Sequence, residues 1–299
     1  MARTSSNKVN ELRELINGAG IHIGPGVYDC LGAKIAEKLG FKLVFTSGFG
    51  ISGSTLGRPD YGFLTATEML YTVGRIVRSI SIPLIADADT GYGNPLNVMR
   101  TVSDFVDIGV AGIILEDQQW PKKCGHLDGK RLISKSEHVE KIRAAIEARA
   151  DSGLVIIART DALAPMGLDH AIERGRAYFE AGADVIFIEA PQTIDQLKNI
   201  SDAFPDAPLF ANMVEGGETP FLSAPTLEAL GFTLVAYPLS GLFAATAAMT
   251  RCLTHLRDHG TTEGVAVDML DFKGYEGLID LEEFKKIEMR YVEKSTTIG

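Results

Sequence analysis

The stretch LGFKLVFT, residues 39–46, returns as LGFTLVAY at 230–237. Each copy carries a glycine where a helical pattern stops, then passes into an apolar run. DIGVAGIILE at 107–116 and EAGADVIFIE at 180–189 repeat the same grammar. A helix-glycine-strand unit reused along a chain marks an architecture of repeated modules, and here it predicts an α/β fold of the (β/α)8 barrel type.

Working outward, the strand candidates are IHIG (21–24), KLVFTS (42–47), PLIADAD (83–89), GIILED (112–117), LVIIART (154–160), DVIFIEA (184–190), PLFANM (208–213) and TLVAYP (233–238). These runs are too continuously apolar for half-exposed strands, and the spacers are long enough for crossover helices, so the sheet is parallel and buried on both faces. Thr65 with Glu68 and Ser134 with Glu137 read as capping boxes, and Asn94-Pro95 as an N-cap with proline at the first helical position. Gly40, Gly109, Gly182 and Gly231 read as C-terminal helix stops. The competing doubly wound nucleotide fold needs a G-x-G-x-x-G loop, a spacing that Gly48, Gly50 and Gly53 have, but the reuse of one helix-glycine-strand unit favours the barrel over an open sheet.

With 299 residues, 45% of them hydrophobic, and no linker composition between 20 and 260, the expectation is one domain spanning 1–299. Its barrel core covers about 20–260 and its C-terminal helices 261–299. The helix after the eighth strand, GLFAATAAMTRCLTHL from 241, is apolar on more than one face. It therefore packs either at a subunit interface or beneath the C-terminal segment DLEEFKKIEMRYVEK.

A net charge of −10 without any long basic run excludes a nucleic-acid footprint. No stretch of about 18 apolar residues or signal-peptide core occurs, so neither membrane spanning nor secretion is expected. Cys30, Cys124 and Cys252 lie far apart, which fits a reducing, cytoplasmic compartment. Cys30 and Cys252 lie in apolar helical contexts and read as core residues.

Reactive groups of a parallel barrel sit at the C-terminal ends of its strands. Here those ends carry Asp87, Asp89, Glu116, Arg159, Glu189 and Asn212. Asp87 and Asp89, two apart on an extended segment, point to the same side. A lone strand-end carboxylate usually caps a loop, but several at one mouth repel unless a hard cation such as Mg²⁺ or Mn²⁺ neutralises them. Zinc is disfavoured, because Cys124 and His126 share one loop with no second ligand pair. Arg159 suits bidentate carboxylate binding or an ion pair with Glu189 or Glu116. The glycines around Ser47 free backbone N–H groups for a second carboxylate, or serve a plain turn. Cys124, flanked by Lys122, Lys123 and His126, is expected to have a lowered pKa.

From GVYD at 26–29 through TSGFG, LGRPDYGFLT, ADADTGYGN, LEDQ, KKCGH, ARTDA, IEAP, NMVEGGETP and YPLS at 237–240, the chain resembles the isocitrate lyase/phosphoenolpyruvate mutase superfamily. The resemblance implies a homotetramer whose eighth helix is exchanged between subunits, and a Mg²⁺ held by Asp87, with Asp60, Asp89 and Glu116 acting mainly through water. It places the oxyacid end of a di- or tricarboxylate substrate against Ser47, Gly48, Arg159 and Asn212. The KKCGH loop, with Gly125, forms a lid.

KKCGH is similar to the lyase branch, in which Cys124 protonates the enolate left by C–C cleavage while His126 and Glu189 orient the site. Phosphonomutase relatives, which act on C–P bonds, resemble the chain elsewhere and give the runner-up. Three departures bear on substrate. Phe45 stands where isocitrate and methylisocitrate lyases have Tyr, and Gly241-Leu242-Phe243-Ala244 follows YPLS where an arginine for a third carboxylate is usual. Pro238 stands where oxaloacetate hydrolases have serine. The remaining pattern, including NMVEGGETP, is similar to the 2,3-dimethylmalate lyase and petal-death-protein group. A barrel that only binds a small acid is the non-catalytic alternative.

Overall fold

The computed structural model describes residues 5–127 and 129–292. Within Met1–Leu242, the first of two compact units, eight strands follow in order: β1 (His22–Pro25), β2 (Val44–Phe45), β3 (Leu84–Asp87), β4 (Gly112–Glu116), β5 (Val155–Thr160), β6 (Val185–Ile188), β7 (Phe210–Asn212) and β8 (Leu234–Tyr237). Each falls on one of the eight apolar runs. All pairings are parallel, in the orders β2-β3-β4-β5-β6 and β1-β8-β7. Parallel bridges Gly26↔Phe45 and Ile186↔Leu209 join the two sets. The strands therefore close into a (β/α)8 barrel.

Successive strand residues point to opposite faces, and two cores result. Val44, Leu84, Ala86, Ile113, Ile156, Ala158 and Ile186 face outward onto the helices. Phe45, Ile85, Ile114, Val155, Ile157, Val185, Phe187, Phe210, Leu234 and Ala236 fill the interior, where Val9, Leu12 and Ile16 of the helix Ser5–Asn17 join them. Continuing the inward set by two residues reaches Ser47, Asp87, Glu116, Arg159, Glu189 and Asn212. The apolar alternation of each strand thus determines which polar side chain enters the barrel mouth.

The helix boundaries follow the local chemistry. Thr65 and Glu68 form the reciprocal capping box, and Asn94 caps with Asn97 ahead of Pro95. Ser134 accepts the Glu137 N–H without the return bond, so only half of that expected box is present. Gly40, Gly109, Gly182 and Gly231 all have positive φ, the left-handed conformation that ends a helix at little cost for glycine.

Behind the barrel wall His138, in the helix Lys135–Arg149, is 0% exposed and meets Tyr178 edge-on. Burial, with Lys141 and Arg174 adding repulsion, pushes its pKa down to about 3. The folded ring stays neutral while the unfolded chain takes up a proton below about pH 6.5. This contribution is complete above that pH and is lost as pH falls towards 3, at about 1.4 kcal/mol per pH unit. His138→Gln is expected to flatten that part of the profile in urea titrations between pH 7 and pH 4.5. Equal slopes in both proteins would contradict it.

The second unit, Phe243–Gly299, holds most of the helix Ser240–His259 and the helices Phe272–Leu278 and Leu281–Val292. The helix Ser240–His259 has no buried residue, and Met249 and Leu253 are 56% and 60% exposed. Cys252 therefore lies outside any core, contrary to its apolar sequence context, whereas Cys30 is half-buried against the main core. Residues 293–299 of the expected C-terminal helices lie outside the described residues. Among the described residues, no helix is long and apolar enough to cross a membrane.

Candidate active site

The floor of the barrel mouth is aromatic. Phe210 lies 5.7 Å from Phe45 and 4.7 Å from Phe187, and the Arg159 guanidinium sits 5.4 Å above the Phe187 ring. Above this floor stand the charged strand ends.

On one side is an acidic group. Asp87 accepts the Gly48 N–H on Oδ2 at 2.9 Å and the Asp89 N–H on Oδ1 at 3.0 Å. The second bond accompanies a left-handed turn at Asp89, φ 48°. Asp89 therefore reaches the site by an aspartate turn and not, as its spacing suggested, by continuing the strand. Asp60 comes from the loop before the helix Ala66–Ser79, and the Lys122 ammonium lies 2.8 Å from Asp60 Oδ1 and 2.6 Å from Asp89 Oδ1. Burial raises the pKa of Asp89, with Asp87 and Asp60 adding to it against Lys122, and burial likewise raises Glu116 against Arg159. Lys122 itself is held protonated well above the ordinary lysine value, its carboxylate neighbours outweighing its burial.

These residues fit a hard cation. The donors are all oxygen, and Glu116 Oε1 is buried without a hydrogen-bond partner. Gly48 leaves a cradle: a Cβ there would lie 2.8 Å from Lys122 Nζ, 3.2 Å from Asp89 Oδ1 and 3.3 Å from Asp87 Oδ2. Among the described residues, no group of three or more His, Cys, Asp or Glu side chains stands close enough to hold a metal ion by itself. Such an arrangement suits Mg²⁺, which retains several waters.

On the other side is a cationic centre. Arg159 is held by Asp161, 3.3 Å from Glu189 Oε2 and 3.5 Å from Glu116 Oε2. Its Nε/Nη2 fork is engaged within the chain, so the expected bidentate grip on a ligand through that edge is replaced by an offer of Nη1. Burial opposes ionisation of Glu189, but Arg159 and His126 outweigh it and hold its pKa low. Asn212 Nδ2 approaches both Glu189 oxygens, at 3.4 and 3.3 Å. Ser47 spends its hydroxyl capping the short helix Gly48–Ile51 through the Gly50 N–H.

The KKCGH loop lies across both sides. The Cys124 N–H donates to Asp60 O at 3.2 Å, and Gln118 exchanges two hydrogen bonds with the Lys123 backbone. His126 Nδ1 accepts the Glu218 N–H at 3.1 Å, which places its proton on Nε2, 3.4 Å from Glu189 Oε1. Cys124 differs from expectation. Burial pushes its pKa up to about 11, with Asp60 and Glu189 contributing, against the His126 N–H and Arg159. Lys122, part of the positive flank read from the sequence, turns instead into the carboxylates. The thiol therefore carries its proton at neutral pH, as a proton donor requires.

Gly125 is where this loop packs closely on Arg159 and Glu189. An added Cβ would lie 2.3 Å from Arg159 Nη2 and 2.6 Å from Glu189 Cγ. Gly125→Ala is expected to lower kcat/KM about 100-fold by displacing the loop, with little change in unfolding midpoint. Steady-state kinetics beside thermal melts check this; unchanged kinetics would contradict the close packing of Gly125 on Arg159.

The candidate site residues named from the sequence lie around this mouth, with the Ser47 hydroxyl turned to its own helix. Lys122 and Asp161 were missed as site residues. The spacing of Arg159 and Asp161, two apart along one strand direction, carried the signal for the second. Nothing local marked which of two adjacent lysines turns inward.

Four similarities bear on this geometry. A family model described as phosphoenolpyruvate phosphomutase matches residues 12–257. The chain is 46% identical over 285 residues to a 2,3-dimethylmalate lyase from Eubacterium barkeri, covering 95% of this chain and 98% of that one. A crystal structure of 2,3-dimethylmalate lyase, described as a PEP mutase/isocitrate lyase superfamily member, superposes with a TM-score of 0.90 at 36% identity, covering 97% and 96% of the two chains. A phosphonopyruvate hydrolase in complex with oxalate and Mg²⁺ superposes with a TM-score of 0.87 at 32% identity over 97% and 100%.

Proposed function

Because the chain belongs to the phosphoenolpyruvate phosphomutase family, within the PEP mutase/isocitrate lyase superfamily, we propose that it is a carbon–carbon lyase. Its substrate is a 2-alkylmalate such as 2,3-dimethylmalate, cleaved to a 2-oxoacid and a saturated carboxylate. The observation that carries this reading is the loop: it holds a protonated, half-buried thiol at a mouth with carboxylates on one side and Arg159 on the other.

Asp87 would hold Mg²⁺, with Asp60, Asp89 and Glu116 acting through water. When bound, the ion supplies Lewis-acid stabilisation of negative charge on the oxyacid oxygens. The chain does the rest. The Ser47–Gly48 backbone and Arg159 Nη1 receive the oxyacid carboxylate, while Asn212 and Glu189 border it. As the bond between C2 and C3 breaks, the C2 hydroxyl loses its proton and becomes the ketone of the 2-oxoacid. The electron pair passes to the other fragment as an enolate. Cys124 delivers its thiol proton to C3 of that fragment; when the lid opens the thiolate recovers a proton from solvent and the proton lost by the C2 hydroxyl is released to solvent, so the cycle balances. The docked loop excludes water during the transfer, and His126 orients it through Glu189 and Glu218.

The apolar sequence after YPLS favours an alkyl group over a third carboxylate, and Pro238 disfavours oxaloacetate hydrolysis. The protein assembles as one barrel domain with a helical extension, in a homotetramer that exchanges the helix Ser240–His259. The exposed apolar side chains of that helix support this. The test is a panel: Mg²⁺-loaded protein with 2- and 3-substituted malates, methylisocitrate, isocitrate, oxaloacetate and phosphonopyruvate, assayed for 2-oxoacid release. Fastest turnover of a 2,3-dialkylmalate supports the reading. Preferential turnover of phosphonopyruvate, surviving Cys124→Ala, would replace it with C–P chemistry.

A further inference from the structure

Arg159 is held from behind by a second layer of buried charge. We infer that Asp161, itself fixed by Asp117, is a positioning residue for the reaction, setting which edge of the Arg159 guanidinium faces the substrate. The inference rests on the lyase reading above. Arg159 Nε donates to Asp161 Oδ2 at 3.0 Å and Nη2 to Oδ1 at 2.9 Å, and the Asp161 side chain is 0% exposed. A planar fork bonded through two nitrogens cannot turn without losing both bonds. Nη1 is thereby kept towards Glu116 and Glu189, where the substrate enters.

Asp117 anchors the carboxylate that does this. Its Oδ1 accepts the Asp161 N–H at 3.0 Å. Its Oδ2 accepts from Thr160 Oγ1 at 2.7 Å, Tyr178 OH at 2.8 Å and Arg174 Nη1 at 2.9 Å. Arg174 and Tyr178 belong to the helix Leu168–Glu180, so the helix is tied through one carboxylate to the backbone that carries Asp161. Glu116 and Asp117, adjacent on the chain, thus take opposite faces: one enters the mouth and the other braces the wall behind it.

A double-mutant cycle tests this. Asp161→Asn keeps the size but replaces one acceptor by a donor, and is expected to lower kcat/KM about 50-fold, chiefly through KM. In an Arg159→Lys background, where no fork exists to hold, the same change is expected to cost no more than about 3-fold. Asp117→Asn is expected to lower kcat/KM about 10-fold in native Arg159 protein and little in the Arg159→Lys protein. Equal losses in both backgrounds, or wild-type kinetics in Asp161→Asn, would overturn the inference. A fall in unfolding midpoint with unchanged kcat/KM in Asp117→Asn would overturn its second half. Failure of the wild type on every dicarboxylate would count against the lyase reading alone. The cycle then runs on oxalate affinity of the Mg²⁺-loaded proteins by calorimetry, with the same pattern expected and the same outcomes opposing it.

Discussion

Replacing Cys124 by alanine is expected to lower kcat for 2-oxoacid release about 1,000-fold, the usual size of a lost general acid. Oxalate affinity should change little, because the thiol stands over the mouth while the oxyacid end is received by Arg159 and the Ser47–Gly48 backbone. Cys124→Ser should not restore the rate, since a hydroxyl is a much weaker acid than a thiol. The pH dependence separates this role from a nucleophilic one. With burial holding the folded pKa at about 11, the donor stays loaded across the neutral range, and the alkaline fall in kcat due to Cys124 belongs near pH 11, above the ~8.5 of a free thiol. Because the folded value is raised, the stabilisation attached to this proton is present below ~8.5 and lost as pH rises through 11. A rate that climbs with an apparent pKa below 8 would indicate a working thiolate and remove the acid role.

The second large effect concerns Lys122. Its ammonium is 3% exposed and lies against Asp60 and Asp89. Lys122→Met leaves those carboxylates buried beside Asp87 without their cation, and losing one partner of a buried pair costs about 3–5 kcal/mol. Activity should fall about 1,000-fold as well. Mg²⁺ should raise the unfolding midpoint of the variant more than that of the wild type, since it restores charge the substitution removed. A variant as stable as wild type without Mg²⁺, and indifferent to it, would contradict the acidic group described here.

Much of the architecture was legible because it depends on local periodicity. The apolar alternation in VIIART puts Val155 and Ile157 inside, hence also Arg159, and the same step from Phe187 and Phe210 carries Glu189 and Asn212 inward. Less was legible where long-range burial decides. Two adjacent lysines look equivalent in KKCGH, but only one is drawn into a carboxylate group supplied by residues 60 and 89. That takes Lys122 out of the positive flank expected around Cys124, and burial becomes the largest influence on the thiol's pKa. Asp89 was read as strand because its turn depends on the hydrogen bond to Asp87. The Arg159–Asp161 fork follows from a spacing of two, and was overlooked because Glu116 and Glu189 offered equally plausible partners.

The central claim is that the lid thiol delivers one proton to the carbon released by C–C cleavage. Turnover of 2,3-dimethylmalate in D₂O, with NMR analysis of the monocarboxylate product, tests it most directly. The account predicts one deuterium at the former C3, in a single configuration, and loss of that stereochemical purity in Cys124→Ala. Configurationally mixed deuterium from the wild-type protein would contradict it, since that is the mark of protonation by solvent instead of by a fixed donor.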